Sequence, residues 1–215
     1  MTTTKLRVYN GALTIIGQRE LATLTEERES RRKLDLAWDD GIVDASLEAG
    51  QWYFAMRSQR ITYDPSITPD WGHRRVFEVP DDHIRTCALC ADEMFTQPLM
   101  AYREEAGFWY ADVDTIFVRF VSNDASFGGD MSLWPGTFVE YLKGHLAFMV
   151  ALALTQDKKK VALAEAYRAK ALRDAKGKAA MADPSATPAQ GRWTTARQGQ
   201  SRSWPDRGNR GSLIG

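Results

Sequence analysis

Cysteine and histidine are scarce in this chain: two of the first and three of the second in 215 residues. Cys87 and Cys90 cannot build a disulfide framework. Their C-x-x-C spacing suits zinc only if two further ligands follow at comparable spacing, and no other cysteine exists. His83 is near in sequence, but His73 and His145 fall in other segments. A redox pair needs a strand-to-helix turn that depresses a thiol pKa, and the flanking residues offer none. The expectation is two small buried side chains, with no metal and no cofactor. Motifs of nucleophilic and phosphate chemistry are missing too. There is no G-x-S-x-G, and "SFGGDMS" has glycines without the G-x-x-x-x-G-K-[ST] spacing of a phosphate loop. Glu104–Glu105 and Asp81–Asp82 are adjacent pairs, and strand neighbours point to opposite faces, so neither makes an acid/base dyad by itself. Carboxylates could still meet across the fold, as in glycosidases, but the sequence singles out no such pair and solvated surface is the expectation. Long apolar runs are lacking as well. The longest, Leu146 to Leu154, is far short of the ~20 residues that span a bilayer. The opening "MTTTKLRVYNGAL" has no signal-peptide core. A soluble protein made in the cytosol, without membrane contact, is expected.

Net charge is also absent, since 28 basic residues balance 28 acidic ones. The balance is uneven along the chain. From Pro184 to Gly215 five arginines face one aspartate, so that segment carries +4 and the rest −4. A mildly acidic body with a basic tail points to an acidic partner for the tail.

What is present reads as an α+β protein. Hydrophobic residues make up 44% of the chain, enough for an ordinary core. Leu6, Tyr9, Leu13 and Ile16 have helical spacing over 4–16, and Gly17 can end that helix. Thr23 and Glu26 are spaced as a capping box. They open a long second helix with Leu34, Trp38, Ile42, Ala45 and Ala49 on one stripe, Glu27–Arg31 and Glu29–Lys33 as i,i+4 pairs, and Gly50 at its end. "QWYFAMRSQRITYD" and "RRVFEV" read as strands, the second stopped by Pro80. Residues 98–122 read as short strands with turns at Glu105–Gly107 and Asp112–Asp114, with Ile116, Val118 and Phe120 sharing a face. Residues 82–93 fit strand and helix equally. After the loop "SNDASFGGDMSLWPG" the helical period returns, with Phe138, Leu142, His145, Met149, Leu152 and Ala153 on one side. Asp157 suits the cap of a fourth, alanine-rich helix that offers Val161, Ala164, Ala171 and Ala175 for close packing. Lys158–Lys160 fall in its first turn, where cations oppose the helix dipole. Such a run is commonly a solvated face, and its functional reading is contact with an acidic neighbour. The aromatics of "QWYF" and "GFWY" are flanked by Glu104, Glu105, Asp112 and Asp114, which favours sheet core or subunit contact over base stacking. The expected fold is a four-helix bundle with a small antiparallel β insertion and an extended C-terminal arm. The corresponding segments are 1–50, 51–133, 134–183 and 184–215.

The arm carries the clearest functional signal. Arginine recurs every five residues at Arg192, Arg197, Arg202 and Arg207, followed by Arg210. Trp193, Trp204, Leu213 and Ile214 are apolar anchors among glycine, serine and glutamine. Such a segment has too little apolar mass to fold alone. Extended, the residues from Gly191 could reach about 80 Å. Arginines would fork onto carboxylates or phosphates, and the tryptophans would fill pockets.

Four stretches carry a family resemblance. They are "YNGALTIIGQRELATLTEE", "LEAGQWYFAMRSQRI", "VFEVPDDHIRTCAL" and "LWPGTFVEYLKGHLAFMVALALTQD". In this order and spacing, over about residues 5–183, the chain resembles the head-to-tail adaptors of tailed bacteriophages, often labelled tail tubular protein A or head-completion adaptors. The resemblance implies a virion neck protein that is not an enzyme, in a ring commonly of twelve copies under the capsid portal. The ring would continue the DNA channel, pass DNA without specific binding, and offer a platform to the next neck or tail protein. It implies as partners the portal protein and neighbouring copies of the chain. The arm residues Arg192, Trp193, Arg197, Arg202, Trp204, Arg207, Arg210, Leu213 and Ile214 would then bind the portal. Two alternatives stay open: a nucleic-acid-binding protein acting through the arginine-rich tail, and a virion-associated wall-degrading enzyme.

Overall fold

The hydroxyl of Thr4 accepts the backbone N–H of Arg7 at 3.3 Å and so caps helix α1, Lys5–Ile15. Its apolar face, Val8, Tyr9, Ala12 and Leu13, is fully buried. Asn10 ties the chain that follows. Its amide donates to the Leu21 carbonyl and its carbonyl accepts the Leu21 N–H, both at 2.9 Å. The computed structural model describes residues 3–182.

The long second helix expected from the sequence is two helices, α2 (Glu29–Asp39) and α3 (Ile42–Glu48). Gly41 between them sits at φ +85°, the left-handed region in which glycine ends helices. The break re-aims the apolar stripe, so that Ser46 and Leu47 are buried while Ala45 is exposed. The capping box also fails. The Glu26 carboxylate accepts the Ala22 N–H within the preceding turn, and α2 starts without a side-chain cap. Arg31 pairs with Asp35 at 2.6 Å, and neither expected Glu–cation pair is among the ion pairs of the described residues.

"QWYF" is not strand. Trp52 leads into a 3-10 turn at Tyr53–Ala55, and only then does β1 (Met56–Thr62) begin. The other strands are β2 (Arg75–Glu78), β3 (His83–Cys90), β4 (Arg103–Glu105), β5 (Phe108–Ala111) and β6 (Thr115–Ser122). They form two three-stranded antiparallel sheets, in the orders β1-β6-β3 and β2-β5-β4. Ambiguous residues 82–93 thus supply a long strand. Ala106 (φ +51°) and Gly107 (φ +81°) make the tight β4–β5 turn that a two-residue hairpin needs. Ile116, Val118 and Phe120 do share a buried face, and with Phe77, Leu89, Trp109 and Ala111 they fill a core of their own.

Two helices complete the unit, α4 (Gly136–Thr155) and α5 (Lys158–Ala182). Gln156 turns the chain at φ +50°, and the Asp157 carboxylate accepts the Lys159 N–H at 2.8 Å. By length and composition α4 could cross a bilayer, but half of its apolar window is buried inside the protein. It packs against α1, α2, α3 and α5, so it buries more than one stripe: Phe138, Val139, Tyr141, Leu142, Leu146, Ala147, Val150 and Ala151. Met149, Leu152 and Ala153, expected inside, are exposed. On α5, Ala164, Ala175 and Ala179 are buried. Small residues let the two backbones approach: a Cβ on Gly144 would stand 2.9 Å from Tyr167 Cδ1 and 3.1 Å from Arg168 Cα.

The expected four-helix bundle with one small β insertion is therefore corrected. The described residues form five α-helices and two three-stranded sheets. The strands are not an appendage on a helical core, because they bury Trp109 and three β6 side chains in a second core. Periodicity along the chain measures one element at a time, and it could not reveal that strands of two sheets share one core.

Candidate partner-binding surfaces

The nine arm residues singled out from the sequence, from Arg192 to Ile214, lie outside the described residues. Among the described residues, the chemically capable groups are joined mainly to one another. Asp82 anchors the start of β3. Its carboxylate takes the Arg57 guanidinium at 2.7 Å and the Ser122 hydroxyl, linking all three strands of the first sheet. Partial burial would push the Asp82 pKa up, but these hydrogen bonds and the Arg57 charge outweigh it and hold the carboxyl below the usual range.

His83 starts a second chain of contacts. Its Nε2 lies 2.9 Å from Thr86 Oγ1, and Thr86 donates to Glu104 at 2.8 Å. Trp109 Nε1 donates to the same Glu104 oxygen at 3.0 Å. Since Thr86 gives its only proton to Glu104, His83 must donate from Nε2. The chain staples the first sheet to the second. Sequence reasoning missed it because its members lie on β3, β4 and β5, and only tertiary pairing brings them together. Glu104 Oε2 thus accepts two hydrogen bonds, one from each sheet.

His145 is positioned by α4 against α3. Ser46 Oγ donates to the Ile42 carbonyl at 2.7 Å and so accepts from His145 Nδ1 at 3.0 Å. Tyr141 stacks on the imidazole with centroids 5.7 Å apart. Burial lowers the His145 pKa, and the Arg168 charge lowers it further. Burial also lowers that of His83, against the pull of Glu104 and Asp82.

A pH dependence follows. Both histidines have folded pKa values below the free value of ~6.5, so the unfolded chain takes up protons first on acidification. Stability should be full above about pH 7 and fall as pH drops below ~6.5. The loss should continue until the lower folded values are passed. Thermal melting between pH 7.5 and 5 should show this decline, and the double substitution His83→Gln, His145→Gln should flatten it. A wild-type melting temperature that does not move over this range contradicts the assignment.

Cys90 is buried and Cys87 half-buried; both thiols are free. Burial pushes both pKa values up, which makes these thiols poor nucleophiles. Among the described residues no group of three His, Cys, Asp or Glu side chains stands close enough to hold a metal ion.

Two surface features remain. A groove of about 640 Å³ runs between the N-terminal part of α4 and the C-terminal part of α5, lined by Trp52, Tyr53, Pro135, Ala175, Ala179 and Met181. Its rim holds Glu140, whose carboxylate accepts from Lys143 and from the Tyr167 hydroxyl, both at 2.7 Å. Burial together with that bond pushes the Tyr167 pKa up to about 12. The other feature is α5 itself, exposed along most of its 25 residues and rich in lysine. No protein-family model matches this chain, and no curated protein matches it.

Proposed function

We propose that this chain is a structural subunit of a virus neck. It would form a ring that joins the capsid portal to the tail, continues the DNA channel, and is held to the portal by the arm beyond residue 183. One observation carries the reading: the ordered set of four stretches that resembles the head-to-tail adaptors. Each stretch has a definite place in the fold. The first supplies α1 and the Asn10–Leu21 tie. The second runs from the end of α3 through the buried Trp52 into β1. The third spans β2, the Asp82 anchor and β3. The last is α4, entered through Pro135.

The chemistry of the described residues is compatible with a non-enzymatic role. Asp82, Glu104, His83 and His145 are engaged in structural contacts. A ring requires a different patch on each side of the subunit, so that rotation closes it. Repetition around the ring then makes weak single arms avid together.

The test is truncation. A chain ending at residue 183 should melt cooperatively near the full-length temperature, because the two cores lie within residues 3–182. It should also lose co-sedimentation with purified portal rings. Full affinity of the truncated chain for portal rings sinks the arm-clamp reading.

A further inference from the structure

The charge of α5 is larger than its setting explains. Between Lys158 and Ala182 six lysines and two arginines stand against only Glu165 and Asp174, a net +6. Helix stability does not account for their placement. The first turn holds Lys158, Lys159 and Lys160 and no acidic residue, and the last turn has no basic one. That is the reverse of what the helix dipole favours.

Five of the eight cations gather on one side of the helix, while Lys160, Arg168 and Lys178 lie elsewhere around it. At 100° per residue, Lys158, Lys159, Lys170, Arg173 and Lys176 fall within an outward arc of about 120°. All five are exposed. The buried edge that meets α4, marked by Ala164, Ala175 and Ala179, lies on the other side. The remaining residues of the outward arc are Ala162, Ala166, Ala169, Gly177 and Ala180, all exposed and small. Glu165 and Asp174 fall outside it.

The geometry points to this outward face of α5 as a contact surface for the phosphate backbone of duplex DNA. Three features favour DNA over an acidic protein. The arc itself carries no large apolar side chain, the exposed Leu163 and Met181 lying about 20° beyond its edge, and lysine and alanine are the residues that protein interfaces avoid. The small side chains between the cations leave the helix surface flat, so a continuous backbone can come close. From Lys158 to Lys176 the cations span about 27 Å of helix, alongside a duplex that presents one charge per ~1.7 Å. Backbone contact of this kind reads no sequence. It belongs to α5 and depends neither on the arm nor on the connector reading.

The test uses the full chain and a fluorescein-labelled 30-base-pair duplex, read by anisotropy at several salt concentrations. Five phosphate contacts on α5 predict that the triple substitution Lys170→Gln, Arg173→Gln, Lys176→Gln lowers the log–log salt slope by about 2.7. Affinity in 50 mM salt should drop by at least about tenfold. Lys158→Gln with Lys159→Gln, a separate pair at the other end, should lower the slope by about 1.8. Glutamine at the five arm arginines should leave these α5 contributions in place. Unchanged affinity and slope in both α5 variants overturns the proposal. So does loss of self-association in light scattering with DNA binding intact, which would make a second copy the occupant.

Discussion

Replacing Trp52 with alanine should lower the stability of the protein by about 3–5 kcal/mol, the usual range for removing a buried large aromatic. Trp52 is 1% exposed and sits where three segments meet. Its indole N–H is shared between the Ser46 and Leu47 carbonyls, at 3.1 and 2.9 Å, at the end of α3. Its ring meets Phe138 edge-on with centroids 5.1 Å apart and lies over Tyr141 at 6.2 Å, both on α4. Gly50 is glycine for the same reason, since a Cβ there would stand 2.9 Å from the indole. The substitution removes packing and also the donor to two buried carbonyls, so repacking by neighbours cannot restore the loss. A domain of this size has about 5–15 kcal/mol in all, so the loss is a large share of the total and should lower the melting temperature markedly. Chemical denaturation read by far-UV circular dichroism measures it. Trp52→Phe should recover part of the packing but not the hydrogen bonds. A Trp52→Ala variant within about 1 kcal/mol of wild type contradicts this account of the core.

Gly128→Ala should have the next largest effect, although it adds only one methyl group. A Cβ at Gly128 would collide with the backbone carbonyl of Ser122, and would lie 3.0 Å from both Ala55 Cβ and Leu47 Cδ1. A flexible side chain can step aside, but the carbonyl ends β6 and receives the Gly128 N–H at 3.1 Å. The Gly128 carbonyl in turn accepts the Trp134 indole N–H at 2.8 Å. The loop is therefore pinned on both sides, between α3, the turn before β1 and the sheet. Overpacking in such a place costs about 1–3 kcal/mol, toward the upper end when backbone must move. Gly136→Ala is the control, because a Cβ there meets nothing within 4 Å. Equal melting temperatures for the two variants would refute the close packing.

Local signals were legible where one element satisfies its own pattern. The 3.6-residue period of α1, the alternation of β6, the turn at Ala106–Gly107 and the cap at Asp157 were all readable in sequence. Each is decided by neighbours within a few residues. The failures share a cause, which is tertiary context. Gly41 breaks a helix whose apolar stripe continues through it. Trp52 and Phe54 look like strand residues, but they face α4 from a 3-10 turn. On α4 the sequence period marks a single stripe, yet several elements pack around the helix and bury residues on more than one side. Polar links such as His83–Thr86–Glu104–Trp109 join residues from three strands, and no spacing rule announces them. The cations of α5 were visible as a lysine run, but their exposure and common face required the helix to be placed against α4.

The two charge features also divide the molecule in a way that composition conceals. Zero net charge hides +6 on α5 and further arginines in the arm, balanced by an acidic remainder. The exposed cations of α5 give the described residues a local positive surface that attracts a polyanion.

Copies of this chain are proposed to form a layer on the portal ring. Negative-stain electron microscopy of purified portal rings mixed with full-length protein measures that directly. An added annular layer on one end of each portal ring is the expected result. Bare portal rings in the presence of excess, correctly folded full-length protein would contradict it.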